Sequence, residues 1–303
     1  MRIGISLSSS FQVQDPRMGA RFMIERAAAA RRASLDSLFV GDHHATPQPY
    51  YQNTPIMGRL LAEWGDKPAG CLFLLPLWSP VLVAEQVGTL ASIAQGRFIF
   101  QCGLGDGQDQ FGAMGADVKR RPSAFEESFD VIKRLLAGQE ASASKRFSVS
   151  PTKLALRPAE PVEYWIGASA EPAIDRAARI GDGWLASPGL TPDQARTQID
   201  YYRARCKAHG RPPAAIAARR DIYVGESRAE AEAVAGPIVA RGYRGFKPEA
   251  LVWGSVADVT ARFKELGAMG YTDVIVRHLT NDQPKVLASL GRLAEVREAL
   301  TNA

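Results

Sequence analysis

The sequence predicts an α/β fold, a (β/α)8 barrel, on the strength of three observations. Short apolar runs alternate with longer segments of helical periodicity along the whole chain. Several of these runs are continuous rather than alternating in polarity, which is typical of strands buried on both faces of a parallel sheet. Eight such runs in 303 residues give about 38 residues per unit, a spacing that suits a barrel with modest insertions.

The eight predicted strands set the order of the chain. They span residues 2–7, 36–41, 69–75, 97–103, 162–167, 183–187, 221–225 and 272–277. Helical periodicity fills the segments between them, beginning with a first helix at about residues 19–35. Ser255, followed three residues later by Asp258, is a capping-box pattern that predicts the start of a late helix. Strands and helices that alternate in this way form βαβ units around a parallel sheet.

Two segments depart from this rhythm and are predicted to be insertions. Residues 141–161 are rich in Ser and Pro and include alternating apolar residues, which favours a small hairpin. Residues 241–253 mix Gly, Pro and aromatic residues, and we expect a loop over one end of the barrel, a candidate lid. No linker or low-complexity tail interrupts the chain, so residues 1–303 are predicted to form a single domain.

Composition and charge argue against several classes of protein. The formal net charge is +5 and the basic residues are scattered, whereas a nucleic-acid-binding protein needs a concentrated basic patch. The three cysteines have no metal-ligand spacing and are too few for a disulfide framework. No apolar run approaches the roughly 18 residues that span a bilayer, and no signal-peptide core starts the sequence. A soluble, cytoplasmic protein without nucleic-acid or membrane partners is therefore expected.

The triplet Asp42-His43-His44 directly follows the second predicted strand and is the most informative motif. Active sites of (β/α)8 barrels lie at the carboxyl ends of the strands. A histidine beside a carboxylate can act as a general base near neutral pH or hold a polar atom of a ligand. The alternative is a pair of histidines that cap the strand. A metal site is not expected, because adjacent histidines on an extended backbone point to opposite faces.

Glycine-rich and small-residue segments follow two later strands. Gly103 and Gly105 come after the fourth strand, but Gln108 stands where a dinucleotide-binding fingerprint would have its third glycine. The two glycines form either a plain turn or a close approach of the backbone to a flat ligand or phosphate. The residues after the fifth strand are Gly167, Ala168, Ser169 and Ala170. They form either an ordinary helix start or a phosphate cradle.

Aromatic residues near the strand ends could line an apolar pocket or belong to the core. These residues are Trp78, Phe111, Trp184 and Trp253. Trp78 lies in a proline-bounded loop that closes the third strand and begins at Leu74 and Leu75. We expect Trp78, Phe111 and Trp253 to line a substrate pocket.

Taken in order, these motifs resemble those of the bacterial-luciferase-like flavin-dependent monooxygenase superfamily, from residue 1 to the C-terminal helix. The triplet at Asp42 looks like the acidic–His–His motif that follows strand two in that family. The remaining matching segments are Leu75-Pro76-Leu77, Pro80, Ala84-Glu85-Gln86-Val87, Leu90, Gly96-Arg97-Phe98, Gly103-Leu104-Gly105, Phe111, Gly115, Tyr164-Trp165-Ile166-Gly167, Ala177-Ala178, Asp182-Gly183-Trp184 and Gly254-Ser255.

The resemblance implies a TIM barrel that binds reduced FMN, or a reduced deazaflavin in a sister branch, at the carboxyl ends of the strands. It implies an oxygenase that receives reduced flavin from a separate NAD(P)H-dependent flavin reductase, and relatives are commonly oligomers, so a homo-oligomer is expected. His43 matches the catalytic histidine of the family, which implies a general base or a stabiliser of the flavin C4a-peroxide, with Asp42 orienting it.

The resemblance also assigns residues to the cofactor. Gly103 and Gly105 would lie beside the isoalloxazine ring, and the peptide between Leu74 and Leu75 would buttress the face of that ring. The residues assigned to the phosphate are Gly167, Ala168, Ser169 and Ala170. Residues 241–253 stand where relatives carry a mobile lid.

The expected function is oxygenation of a small organic substrate with reduced FMN and molecular oxygen. Two alternatives remain open, which are hydride transfer by a reduced deazaflavin and a catalytically silent flavin-binding protein. Gln110 stands where many relatives have an acidic residue. Asp rather than Glu at position 42 resembles the motif of the deazaflavin branch, whereas His43 and His44 as a pair resemble the motif of the FMN branch. The sequence therefore leaves the cofactor undecided.

Overall fold

A computed structural model describes residues 1–301 of the chain. The strands are β1 (Arg2–Leu7), β2 (Ser37–Val40), β3 (Ala69–Leu74), β4 (Phe98–Gly103), β5 (Ala141–Ala143), β6 (Val149–Thr152), β7 (Glu163–Ala168), β8 (Gly183–Ala186), β9 (Ala215–Val224), β10 (Val252–Gly254) and β11 (Asp273–His278). The α-helices are α1 (Pro16–Arg32), α2 (Asn53–Trp64), α3 (Pro80–Ile93), α4 (Gln108–Ala113), α5 (Arg121–Leu136), α6 (Glu171–Ile180), α7 (Pro192–Ala208), α8 (Arg228–Ala240), α9 (Val256–Met269) and α10 (Gln283–Thr301).

Eight of these strands are hydrogen-bonded neighbours in a closed ring, in the order β1-β2-β3-β4-β7-β8-β9-β11. The ring closes because β8 pairs with β9 and β11 pairs with β1, both in parallel. Strand β10 is added beside β9, outside the ring. Each strand of the ring matches one predicted strand, so the predicted (β/α)8, or TIM-barrel, fold is confirmed.

Strand β9 differs most from its prediction, because it begins at Ala215 rather than at residue 221. Apart from Ile216, its first six residues are Ala and Arg, which favour helices in isolation. Parallel pairing on both sides overrides this preference, with Ala215 opposite Gly183 of β8 and Ala217 opposite Asp273 of β11.

The two predicted insertions are both ordered. The first contains an antiparallel pair, β5 with β6, which confirms the expected hairpin. The second contains two short 3-10 turns, Tyr243–Gly245 and Pro248–Ala250, and then enters β10 at Val252. The expected loop is therefore shorter than predicted, because the last residues of this segment pair with the long β9.

Two compact units make up the described chain. One comprises Met1–Ser8, Arg21–Phe39 and the described residues from Trp165 onward, and the other comprises Ser9–Ala20 and Val40–Tyr164. The two are named here the first unit and the second unit. The single domain expected over residues 1–303, of which the last two lie outside the described residues, stays a prediction.

Helix α9 shows how the sequence fixes a boundary. The hydroxyl of Ser255 accepts a hydrogen bond from the Asp258 N–H, and the Asp258 carboxylate accepts one from the Ser255 N–H. This confirms the predicted capping box. The hydrogen bonds to the Ser255 side chain and backbone lower the pKa of Asp258. The helix ends at Gly270, whose left-handed φ of 99° suits glycine. Within residues 1–301, no helix has the length and apolar character needed to span a bilayer.

His278, the last residue of β11, is a buried histidine with a structural partner in the first unit. Its Nε2 atom lies 3.1 Å from the hydroxyl of Ser289 on α10, and that hydroxyl also accepts the Val224 N–H at 2.9 Å. Burial, and then the positive charge of Arg26, lower the pKa of His278 to about 3. The imidazole is therefore neutral in the folded protein at neutral pH.

Acid is expected to destabilise the protein in part through His278. The unfolded chain binds this proton at about pH 6.5, whereas the folded protein binds it only near pH 3. Since the unfolded state binds more protons between these values, this contribution to the free energy of unfolding is present above pH 6.5. It is lost as the pH falls, at up to about 1.4 kcal/mol per pH unit. Urea unfolding at several pH values below 7 measures the slope.

The matched comparison uses His278→Gln, which keeps a polar group near Ser289 but cannot titrate in this range. Its free energy of unfolding should fall less steeply with acid than that of the wild type. The matched control is His43→Gln, the same substitution at an exposed position, which should keep the wild-type slope. Equal slopes for wild type and His278→Gln would show that the burial of His278 does not govern acid stability.

Candidate active site

Asp42 is a buried carboxylate that lies just beyond β2, in the second unit. Its Oδ2 atom accepts a hydrogen bond from the backbone N–H of Leu74 at 2.7 Å and another from the indole N–H of Trp78 at 2.8 Å. Two N–H donors on one carboxylate oxygen form charge-assisted hydrogen bonds, which hold both donors in fixed positions. Asp42 therefore ties the segment after β2 to the end of β3 and to the turn that follows it.

His44 is the histidine that pairs with this carboxylate. Its Nε2 atom lies 3.1 Å from Asp42 Oδ1, within ion-pair distance although the two atoms are not aligned as a hydrogen bond. The His44 ring also meets the Trp78 ring edge to face, with centroids 5.2 Å apart. The His44 backbone N–H donates to the Gln110 side-chain carbonyl at 2.7 Å. His44 is therefore buried and held by contacts with Asp42, Trp78 and Gln110.

His43 points away from Asp42 and is exposed. Its ring lies 5.9 Å from the ring of Tyr50, and its backbone carbonyl accepts a hydrogen bond from Gln52. The expectation that Asp42 orients His43 is therefore wrong, because Asp42 contacts His44 instead. Successive side chains of an extended segment point to opposite faces, which separates position 43 from positions 42 and 44. The catalytic role of His43 stays a prediction.

The end of β3 forms an apolar wall in the same unit. The strand ends at Leu74, whose backbone angles are φ −86° and ψ 81°, and a 3-10 turn continues over Leu75–Leu77. Leu74, Leu77 and Phe111 form a buried cluster, and the half-buried Trp78 packs against it. The structure thus brings together two of the three aromatic residues expected to line the substrate pocket.

Gly103 and Gly105 lie beside the same wall. A Cβ atom added to Gly103 would meet only the side chain of Leu74, at 3.8 Å, so protein packing does not require glycine there. Gly105 has a left-handed φ of 70°, and an added Cβ would lie 3.3 Å from Leu74 and 3.4 Å from Phe111. The backbone at Gly103 is thus free of bulky neighbours, and a flat ring could approach it closely. These residues fit a flavin or deazaflavin ring.

The predicted phosphate segment belongs to the first unit, at the end of β7. The Ala168 carbonyl accepts a hydrogen bond from the Trp184 indole at 2.9 Å, and the Ser169 carbonyl accepts one from Gln198 at 2.9 Å. Helix α6 then starts with Glu171, followed by Pro172. Proline offers no N–H and Glu171 adds a negative charge, so this helix start has few donors for a phosphate. The phosphate assignment of Gly167, Ala168, Ser169 and Ala170 stays a prediction.

The remaining predicted aromatic residues occupy other places in the first unit. Trp253 lies in β10, and its indole N–H donates to the Glu232 carboxylate at 3.0 Å. It packs against the buried cluster of Tyr223 and Leu251. Trp184 is fully buried and belongs to the core. The role of Trp253 in a substrate pocket stays a prediction.

Neither a reactive cysteine nor a metal site is found among the described residues. All three cysteines are buried, and none of them forms a disulfide. Burial raises the pKa of the Cys71 and Cys102 thiols well above the ordinary value, which disfavours a nucleophilic thiolate. Over residues 1–301, no three His, Cys, Asp or Glu side chains are grouped as they would be around a metal ion.

Sequence reasoning missed a charged cluster in the first unit, formed by Arg219 and Asp221 of β9 and Arg277 of β11 together with Tyr243 and Arg244. Burial raises the pKa of Asp221, but the three arginines and the Tyr243 hydroxyl outweigh it, so the pKa lies below its ordinary value. A signal was present, because charged residues inside a strand buried on both faces are unusual.

The two neighbours Asp42 and His43 should respond differently to truncation. Asp42→Ala should lower the free energy of unfolding by at least about 2 kcal/mol, because the buried N–H groups of Leu74 and Trp78 would lose their acceptor. His43→Ala, at an exposed position, should leave it unchanged within error. Chemical denaturation followed by tryptophan fluorescence measures both. An equal loss of unfolding free energy in the two variants, or no loss in Asp42→Ala, would contradict the stabilising role assigned to these hydrogen bonds.

Known proteins share this fold and sequence pattern. Among curated relatives, an F420-dependent glucose-6-phosphate dehydrogenase of Nakamurella multipartita is 26% identical over 194 residues, which cover 60% of this chain. The match spans 56% of that protein, little more than half of its length.

Solved structures match over nearly the whole chain. Monooxygenase RslO1 from Streptomyces bottropensis superposes with a TM-score of 0.87 at 17% identity, covering 100% of both chains. The oxygenating constituent of 3,6-diketocamphane monooxygenase from Pseudomonas putida, in complex with FMN, gives a TM-score of 0.82 at 16% identity, covering 97% of both. At these identities the likeness shows the fold alone. A family model described as luciferase-like monooxygenase matches residues 1–302. The chain therefore belongs to the luciferase-like monooxygenase family.

Proposed function

We propose that this member of an oxidoreductase family is a monooxygenase that uses reduced FMN and molecular oxygen to oxygenate a small organic substrate. The observation that carries the proposal is the exposed His43 next to Asp42, a buried carboxylate whose Oδ2 atom is held by two N–H donors. Because Asp42 is engaged by Leu74 and Trp78, the imidazole of His43 is the side chain of the triplet that can exchange protons with a ligand.

The second unit offers a floor for a flavin ring. The uncrowded backbone at Gly103 admits a flat ring, and the peptide after Leu74 would support one of its faces. The hydrogen bond from the Leu74 N–H to Asp42 fixes this support. When bound, reduced FMN supplies the two electrons that activate molecular oxygen.

The protein's own residues would supply a proton and a dry surface. His43 would hold or move a proton at its exposed imidazole. The apolar side chains of Leu74, Leu77 and Phe111, with Trp78 at their edge, would exclude water from the reacting atoms. Gln110 is a neutral amide that hydrogen-bonds to the backbone of His44 and of Asp106, so it supplies no second acid.

Hydride transfer with a reduced deazaflavin is the second candidate. It is favoured by the sequence relatives, since the curated relative named above is F420-dependent. The exposed His43 suits this chemistry too, because it could donate the proton that accompanies hydride transfer from the reduced deazaflavin to a carbonyl group. For the first candidate, the monooxygenase, we propose that a separate NAD(P)H-dependent flavin reductase supplies the reduced FMN. We also propose that the protein forms a homo-oligomer.

An anaerobic titration with reduced FMN and, separately, with the reduced deazaflavin F420 distinguishes the candidates. Flavin absorbance and fluorescence report binding, and oxygen is then admitted. The proposal predicts that reduced FMN binds and that its reoxidation on the protein is slower than in solution, with delayed release of hydrogen peroxide. Binding of F420 alone, with no response to oxygen, would contradict it and favour hydride transfer. Bound flavin that never turns over in a substrate screen would favour a silent flavin-binding protein.

His43→Ala tests the assigned residue within the same assay. It should still bind reduced FMN but lose about 100-fold or more in coupled turnover, as expected for a lost general base. His209→Gln is the matched control, because that histidine pairs with Asp175 on α6 and lies outside the candidate site. Full turnover in His43→Ala would remove His43 from the mechanism.

A further inference from the structure

A charged cluster in the first unit is not used by the proposed mechanism. The register of the sheet sets Arg277 of β11 opposite Asp221 of β9, and Arg219 lies two residues before Asp221, on the same face of the strand. His278, the next residue after Arg277, contacts Ser289 of α10. Arg277 therefore lies on the face of the sheet turned away from that helix, and so do its neighbours on β9.

Asp221 is the centre of the cluster and is fully buried. Its carboxylate accepts hydrogen bonds from Arg219 at 2.8 and 3.0 Å and from the Tyr243 hydroxyl at 2.8 Å. The guanidinium of Arg244 lies 3.7 Å from the same carboxylate. One carboxylate therefore has two guanidinium groups beside it.

Arg277 adds a third positive charge without a carboxylate of its own. Its guanidinium donates to the hydroxyl of Ser6 at 2.9 Å and to the carbonyl of Ser6 at 3.4 Å, which are neutral groups. Burial, and then the positive charge of Arg277, lower the pKa of Arg219 to about 10, so the two cations lie close enough to repel each other. Three cations thus face one anion, where buried charges are ordinarily balanced.

The cluster reaches the surface through Arg244. The Arg244 side chain is 44% exposed, whereas that of Arg219 is 15% exposed. Arg244 sits at the tip of a turn with a left-handed φ of 51°, between Gly242 and Gly245. Guanidinium groups offer planar pairs of N–H donors that match the oxygens of a phosphate or a carboxylate.

We propose that Arg219, Arg244 and Arg277 form a binding site for an anionic group, a phosphate or a carboxylate of a small molecule, with Asp221 and Tyr243 as positioning residues. Two sources share this chemistry. One source is an anionic substrate, and the assignment of the anion to a substrate rests on the proposed function. The other is the phosphate of FMN.

Binding of inorganic phosphate to the protein without any flavin tests the site. Calorimetric titration at constant ionic strength, which keeps charge screening fixed, should show saturable binding to the wild type. Arg244→Gln and Arg277→Gln should each raise the half-saturating phosphate concentration by at least about tenfold, the effect of losing one charge-assisted contact. The matched control is Arg228→Gln, which makes the same charge change on α8 at a side chain that is 84% exposed. It should bind phosphate like the wild type.

Absence of saturable phosphate binding to the wild type would overturn the proposal. An equal weakening in Arg228→Gln would also overturn it, because the effect would then be that of general surface charge. If Arg277→Gln does not fold, Arg244→Gln carries the test, since its side chain lies in an exposed turn. None of these results depends on flavin binding or turnover. The test can therefore overturn the proposed anion site while the proposed function stands, and the proposed function can be overturned while the anion site stands.

The two sources are separated by competition under anaerobic conditions. If phosphate weakens the binding of reduced FMN but not of reduced riboflavin, which has no phosphate, the site holds the cofactor. If phosphate leaves the binding of reduced FMN unchanged, the site holds the anionic group of a substrate. Both results require the same three arginines and support the proposed site.

Discussion

The buried carboxylate of Asp42 is the interaction on which the candidate site depends. It accepts one backbone and one indole N–H, from Leu74 and Trp78, and lies against His44. The two hydrogen bonds, both accepted by Oδ2, offset part of the cost of burying this carboxylate. The same arrangement fixes the peptide after β3 and leaves His43 on the exposed side. Asp42 and His44 thus make the buried contacts of the triplet, and the proposed role on a ligand belongs to the exposed His43.

Asp221 of the first unit is a second buried carboxylate with a different environment. Its partners are a tyrosine hydroxyl and arginines, so positive charge exceeds negative charge around it. Asp42 accepts hydrogen bonds from neutral donors and fixes the apolar wall at Leu74. Asp221 is buried beside the guanidinium groups of arginines. The first environment suits a flat, largely apolar ring, and the second suits an anionic group. A ligand of the first unit is therefore expected to be more polar than the aromatic residues of the sequence suggest.

The sequence predicted the fold because its signals are local. Continuous apolar runs located all eight strands of the ring, and the pattern at Ser255 located the start of α9. Contacts between distant segments were not readable in this way. Asp42 contacts His44 rather than its neighbour His43 because of the directions in which the side chains point. The hydrogen bond from the Trp78 indole to Asp42 joins residues that are 36 positions apart in the sequence. The arginine cluster was missed because Arg219 and Arg277 belong to strands that only the sheet brings together.

Hydrogen exchange at the Leu74 amide and at the Trp78 indole tests the central role of Asp42 most directly. Both hydrogens should exchange slowly in the wild type and in His43→Ala, because the carboxylate that accepts them is intact. In Asp42→Ala both should exchange at least about tenfold faster, since about 1.4 kcal/mol of lost protection corresponds to that factor. The other amides of β3 should keep their protection. Fast exchange in the wild type, or acceleration by His43→Ala as large as by Asp42→Ala, would contradict this account.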